Sequence, residues 1–222
     1  LLATLALGAL LAFIGQTYQT GADAWQLFAV WAVLALPWTV VAAKDGLWAL
    51  WLVIAATGLG FWCSVQLNLF GIFSPGLAGL WPQLLLWLPL WLLPSGLPHL
   101  KVCAIAQPHI SRAVGAGVAL GAWAGFGVMA VLQRDADWAV FGLASVLVAT
   151  VVAAAWRKRN ILVLGLGLMA ANALWLVAAG HYLFSTLDWA GTGAFSLMTL
   201  VIAASVGASA HGLYRLQKEG AV

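Results

Sequence analysis

The stretch Gly15-Gln16-Thr17-Tyr18-Gln19-Thr20-Gly21-Ala22-Asp23-Ala24-Trp25 is the one long polar break in the first 43 residues. Leu1 to Ile14 before it and residues 25–43 after it contain no charged side chain. Two uncharged apolar runs joined by a polar turn read as a helical hairpin in a membrane, because a long apolar run without charges is the mark of a spanning helix. The rest of the chain repeats this plan.

Composition supports that reading. Of the 222 residues, 64% are hydrophobic and 7% are charged, whereas soluble domains carry about 25% charged residues. The 14 Trp and 24 Gly fit the same class, since indoles gather at the headgroup level and glycine is common in membrane helices. A transmembrane barrel would need segments of about ten residues with alternating polarity, and the long runs do not alternate. The expected fold is all-α, a polytopic transmembrane helical bundle that forms a single integral-membrane domain over 1–222.

Apolar runs between polar breaks mark about eight spans, at 1–15, 25–43, 46–65, 79–95, 113–132, 138–156, 160–180 and 192–212. The first run, Leu1 to Ile14, covers only about 21 Å at 1.5 Å per residue, short of the roughly 30 Å hydrocarbon core. No basic segment precedes it, so it does not read as a secretory signal. The chain is therefore expected to lack N-terminal helices of a longer protein.

Charge sets the orientation. With the N-terminus in the cytoplasm, the inner side carries Lys44, Lys101, Arg112, Arg157, Lys158, Arg159, Arg215 and Lys218, and the outer side only Arg134. Cytoplasmic loops are the ones enriched in Lys and Arg, so both termini are expected to be cytoplasmic. Asp23, Asp135, Asp137 and Asp188 then fall outside. Cys63 and Cys103 lie near opposite faces on this topology, too far apart to bond, and read as two free thiols.

Several local features follow. Pro37 is expected to kink the second span, and Pro82, Pro89 and Pro94 make the fourth irregular. Residues 96–112 form the largest inner loop. Gly117, Gly121 and Gly125, four apart, place bare backbone on one helix face, which reads as small-xxx-small packing. Trp156-Arg157-Lys158-Arg159-Asn160 is a basic turn suited to anionic headgroups. Asp23 with Trp25, Asp137 with Trp138 and Asp188 with Trp189 each precede a span, where Asp can cap the helix and Trp can anchor it.

Residues 14–28, Ile14 to Phe28, followed by Trp31 and Leu36-Pro37-Trp38, resemble the signature region of a bacterial family of predicted inner-membrane proteins, domain-of-unknown-function family 2157. The resemblance is dense over residues 14–38. It implies a multi-pass protein of the bacterial inner (cytoplasmic) membrane with further helices ahead of the motif. It implies no reaction, so no catalytic residue is carried over.

A ligand site, if one exists, is expected at the outer face, where Gln16, Tyr18, Gln19, Asp23, His181, Tyr182 and Asp188 supply polar and aromatic groups. Solvation of wet loops accounts for such residues equally well. No Asp, Glu, Lys or Arg falls mid-span, which counts against a proton-coupled pump. Asn172, the clearest central polar residue, is expected to bond a neighbouring helix. His99, Cys103 and His109 match no zinc spacing, and Ser64, Ser145, Ser196 and Ser205 have no activating His or acid at helical spacing. No cofactor, metal or nucleic acid is expected. The leading expectation is a non-enzymatic binding or complex component, in contact with membrane lipids and with a membrane protein partner or a second copy of itself. A facilitative transporter or channel for a small solute or lipid is the alternative, and an intramembrane enzyme the third.

Overall fold

A computed structural model describes residues 1–17, 23–66, 84–96, 108–132, 137–186 and 192–220. These residues form helices α1 (Leu2–Thr17), α2 (Ala24–Ala42), α3 (Asp45–Gln66), α4 (Leu88–Gly96), α5 (His109–Leu132), α6 (Trp138–Arg157), α7 (Ile161–Thr186) and α8 (Thr192–Gly220), and no strand occurs among them. Six helices are long and apolar enough to cross a membrane, namely α2, α3 and α5 to α8, while Leu2–Gly15 and Leu84–Gly96 are shorter apolar helices. Large apolar side chains such as Val41, Met169 and Leu200 remain exposed, a placement that suits hydrocarbon, which is as apolar as they are.

The fourth run is interrupted at the single residue Trp87, between helical residues 84–86 and α4. Pro94 lies inside α4 and Pro37 inside α2 without ending either helix. Three boundaries move: α7 continues past residue 180 to Thr186, α8 continues past residue 212 to Gly220, and α5 starts at His109 rather than 113, so His109 to Arg112 belong to a helix and not to the inner loop.

The described helices make two compact units, one of α1 to α4 with α5 as far as Val118, the other of Leu84 and Leu85, α5 from Ala119, and α6 to α8.

In the first unit the hairpin of α2 and α3 turns at Ala43, whose φ of 47° is left-handed. Tryptophans fasten its helices. Trp31 of α2 donates its indole N–H to the Thr4 carbonyl of α1 at 2.9 Å, and Trp51 of α3 donates to the Ala32 carbonyl of α2 at 2.8 Å. Each carbonyl has a second lone pair beyond its helical bond, and the buried indole needs a partner. Gly8 makes room for the first contact, since a Cβ there would lie 2.3 Å from Trp31 Cζ2. Trp48, 2% exposed, packs with Val40, Ala43, Trp51 and Leu93.

The start of α5 is fixed from a distance. Pro108 precedes the helix and offers no side-chain acceptor. Asp45, in the first turn of α3, fills that role: its carboxylate accepts the backbone N–H of Ile110 at 2.7 Å and of Ser111 at 2.9 Å. These are the second and third residues of α5, the donors an N-cap serves. The N-termini of α3 and α5 therefore lie side by side.

In the second unit α5, α6 and α7 meet at Gly127, where a Cβ would come 2.5 Å from Leu174 Cδ2 and 3.0 Å from Ala144 Cβ. Gly167 of α7 admits Val152 of α6 in the same way. Trp123, fully buried, donates its indole N–H to the Leu84 carbonyl at 2.8 Å. The turn from α6 to α7 occupies three residues and is considered below.

Candidate functional site

Of the outer-face residues, Tyr18, Gln19 and Asp188 lie outside the described residues, and Gln16 belongs to α1 with its side chain outside them. Asp23 is described. It stands at the N-cap position of α2, with φ −62° and ψ 148°, but makes no side-chain cap hydrogen bond. Its Oδ2 accepts the indole N–H of Trp25 at 3.3 Å instead. The capping expectation thus fails at Asp23, because the nearby indole occupies the carboxylate. It holds at Asp137, whose Oδ1 accepts from the backbone N–H of Ala139 and Val140, both at 3.1 Å.

His181 and Tyr182 fall in the last turns of α7, in the second unit. The His181 ring meets Trp138 of α6 edge-on, with centroids 6.0 Å apart and planes at 68°. Trp138 meets Phe141 in turn at 5.8 Å and 83°. Tyr182, beside His181 in sequence, is 56% exposed. On the other flank of His181 is a recess of about 560 Å³, lined chiefly by Leu132, Leu176, Gly180, His181, Phe184 and Met198. Gly180 lies in its wall, where a Cβ would make ordinary van der Waals contact with Met198 Cε at 3.4 Å. The His181 imidazole and Ser185, whose hydroxyl donates to the His181 carbonyl, set among aliphatic, aromatic and thioether groups suit a small amphipathic ligand, with its polar end at these two residues and apolar surface elsewhere.

The contribution of α7 to this recess was legible, since Leu176, Gly180, His181 and Phe184 recur at helical spacing. Met198 and Leu132 were not, because nothing in a sequence shows which neighbouring helices supply the opposite wall.

Other expected residues are placed as follows. Asn172 bonds across to α8 as expected: its Nδ2 donates to Ser209 Oγ at 3.0 Å and its Oδ1 accepts from Ser205 Oγ. Ser209 Oγ donates to the Ser205 carbonyl at 3.0 Å, so amide and hydroxyls serve one another. Gly121 and Gly125 face open space among the described residues, with nothing within 4 Å of a Cβ placed on either. The close approach nearby is at Gly115, where a Cβ would fall 2.5 Å from the Leu90 carbonyl oxygen. Cys63 is buried and free. Cys103 and His99 lie outside the described residues, and His109 is in the first turn of α5.

Several apolar helices of spanning length among the described residues make this a polytopic helical membrane protein. The family DUF2157, described as a predicted membrane protein, matches residues 1–48, which hold α1, the Gly15–Trp25 break, α2 and the turn into α3. The resemblance carried by residues 14–38 is thereby shown. Curated proteins and solved structures give no match.

Proposed function

We propose that the protein is a non-enzymatic component of a bacterial inner membrane that acts by binding a small amphipathic molecule or a partner's apolar segment at the His181 end of α7. The observation that carries this reading is the recess of about 560 Å³ beside His181, with Gly180 in its wall. Two of the serine hydroxyls are taken up by the backbone, Ser64 Oγ by the Phe61 carbonyl and Ser145 Oγ by the Phe141 carbonyl, each at 2.8 Å. That favours binding over nucleophilic chemistry.

About eight membrane segments with both termini cytoplasmic complete the proposal, α1 and α4 being the short ones. Eight inner cations against one outer support the orientation, and the pairing of the α3 and α5 N-termini through Asp45 supports a return crossing by the fourth run, since both helices then start from one face. His181 and the recess face outward on this topology.

The test is native mass spectrometry of protein purified in mild detergent. A stoichiometric adduct or partner retained by wild type and lost from Gly180→Phe, which fills the recess, is the expected result. Wild type that carries nothing under conditions that keep it folded overturns the reading.

A second reading, a facilitative transporter, draws on the break at Trp87 between the turn at 84–86 and α4. Broken helices in membranes occur where they line a cavity or move. Solute uptake by proteoliposomes would select it.

A further inference from the structure

A second binding feature lies on the lipid-facing side of α6 and α7, running toward their shared turn. It is an apolar groove of about 670 Å³. Its floor is set by the small residues Ala149, Ala153 and Ala171, and Trp156 and Trp175, 53% and 57% exposed, stand at its sides. Arg157 closes one end and Phe141 the other. Residues 141–157 of a helix extend about 24 Å, more than one bilayer leaflet of roughly 15 Å, half the hydrocarbon core. An acyl chain lying in the groove from the Arg157 end would stay within its length.

The closed end is built in an unusual way. Helix α6 finishes with the Asn160 N–H on the Ala155 carbonyl at 3.0 Å and the Arg159 N–H on the Trp156 carbonyl at 3.1 Å. This is the Schellman pattern, in which the left-handed residue is usually glycine. Here it is Arg159, with φ 50°. Asn160 then caps α7 at once, its Oδ1 accepting the Val163 N–H at 3.2 Å. A side chain in this conformation costs about 1 kcal/mol or more relative to glycine, so the turn keeps a charge where the backbone alone would prefer Gly.

Arg157, Lys158 and Arg159 are all exposed. The sequence contains no acid between Asp137 and Asp188, so nothing on either helix offsets the three charges. Three cations and an amphipathic indole thus sit at the end of a groove shaped for hydrocarbon. We infer that this groove is a binding site for an anionic phospholipid, with the headgroup phosphate at Arg157, Lys158 and Arg159 and one acyl chain along Ala153 and Ala149 between Trp156 and Trp175. Trp156 holds the interfacial level between the two parts. The competing account is that the three cations only complement the C-terminal carbonyls of α6 and keep the turn on one side of the membrane. That account gives no preference for one bound lipid and no role to the groove.

The experiment is native mass spectrometry of the full chain titrated with phosphatidylglycerol and, separately, phosphatidylcholine. Wild type should hold one phosphatidylglycerol in preference to phosphatidylcholine. Removing charges should lower that preference by about fivefold each, the scale set by one basic residue at an anionic surface. Arg159→Gly is the cleanest single variant, because glycine suits the left-handed position and folding is preserved or improved. Arg157→Gln/Lys158→Gln/Arg159→Gly should abolish the preference. Ala153→Trp, at an exposed position, should fill the groove and weaken phosphatidylglycerol binding while leaving all three charges in place. Equal retention of the two lipids by wild type, or an unchanged preference in the triple variant, overturns the site. Unchanged binding by Ala153→Trp overturns the groove as its acyl subsite.

Discussion

The carboxylate of Asp45 holds the backbone N–H of Ile110 at 2.7 Å across a sequence separation of 65 residues. One side chain in the first turn of α3 thus caps another helix, and its negative charge lies near the positive ends of both. Asp45→Ala removes both acceptors and should lower stability by about 1–2 kcal/mol, the range for loss of a cap. Asp45→Asn keeps an acceptor and loses the charge, so it should cost about 0.3–1 kcal/mol. Thermal unfolding in detergent should rank wild type above Asn above Ala. Ala equal to wild type would show that the bond contributes nothing.

Gly8 and Trp31 make a tighter prediction. A methyl group on Gly8 would stand 2.3 Å from the indole, so Gly8→Ala must displace Trp31 and strain its bond to Thr4, at a cost of about 1–3 kcal/mol for overpacking. Trp31→Phe loses the indole donor and should cost about 0.5–1.5 kcal/mol. Because both changes break one contact, the double variant should cost clearly less than their sum. A strictly additive cycle, read from the same unfolding measurement, contradicts the contact.

These two contacts also mark where sequence reading stops. Apolar runs without charges are visible because a bilayer admits little else, which is why α2, α3 and α5 to α8 fall where the runs do. The start of α5 was misplaced because its cap comes from Asp45, and no local residue announces it. The spacing of Gly117, Gly121 and Gly125 identifies a bare face; among the described residues nothing lies within 4 Å of a Cβ on Gly121 or Gly125, while Gly115 and Gly127, on other faces, meet neighbours closely. Periodicity shows which faces are small and says nothing of which one is chosen. For the site, His181 was legible as a polar aromatic at a helix end, whereas its setting of Trp138 on one flank and Met198 on the other depends on tertiary packing. Asp23 was misread for a similar reason, since Trp25 competes for the carboxylate that capping requires.

The link between α7 and α8 should show the modest strength of polar contacts in membranes. Asn172→Leu leaves Ser205 and Ser209 without their amide partner, although both hydroxyls retain nearby helix carbonyls, and Ser209 already uses one. The expected loss is about 0.6 kcal/mol, within the measured ceiling of roughly 1.7 kcal/mol for such bonds. A steric-trapping or unfolding measurement in bicelles would read it. A loss of several kcal/mol would mean that Asn172 also orders something beyond these two serines.

Topology gives the last prediction and bears on both proposed sites. In a variant with Cys63 and Cys103 replaced by Ser, a single Cys at Lys158 should react with a membrane-impermeant maleimide only after the cytoplasmic side is opened. A single Cys at Tyr182 should react in intact spheroplasts. The two positions lie toward opposite ends of α7, about 36 Å apart along a helix at 1.5 Å per residue, enough to exceed the roughly 30 Å core. This labelling pattern requires only that α7 spans and that Arg157, Lys158 and Arg159 stay inside, as a turn with three cations should. Reversed labelling would put the His181 recess in the cytoplasm and the basic turn outside, whereas labelling of both from one side would show that α7 does not cross at all.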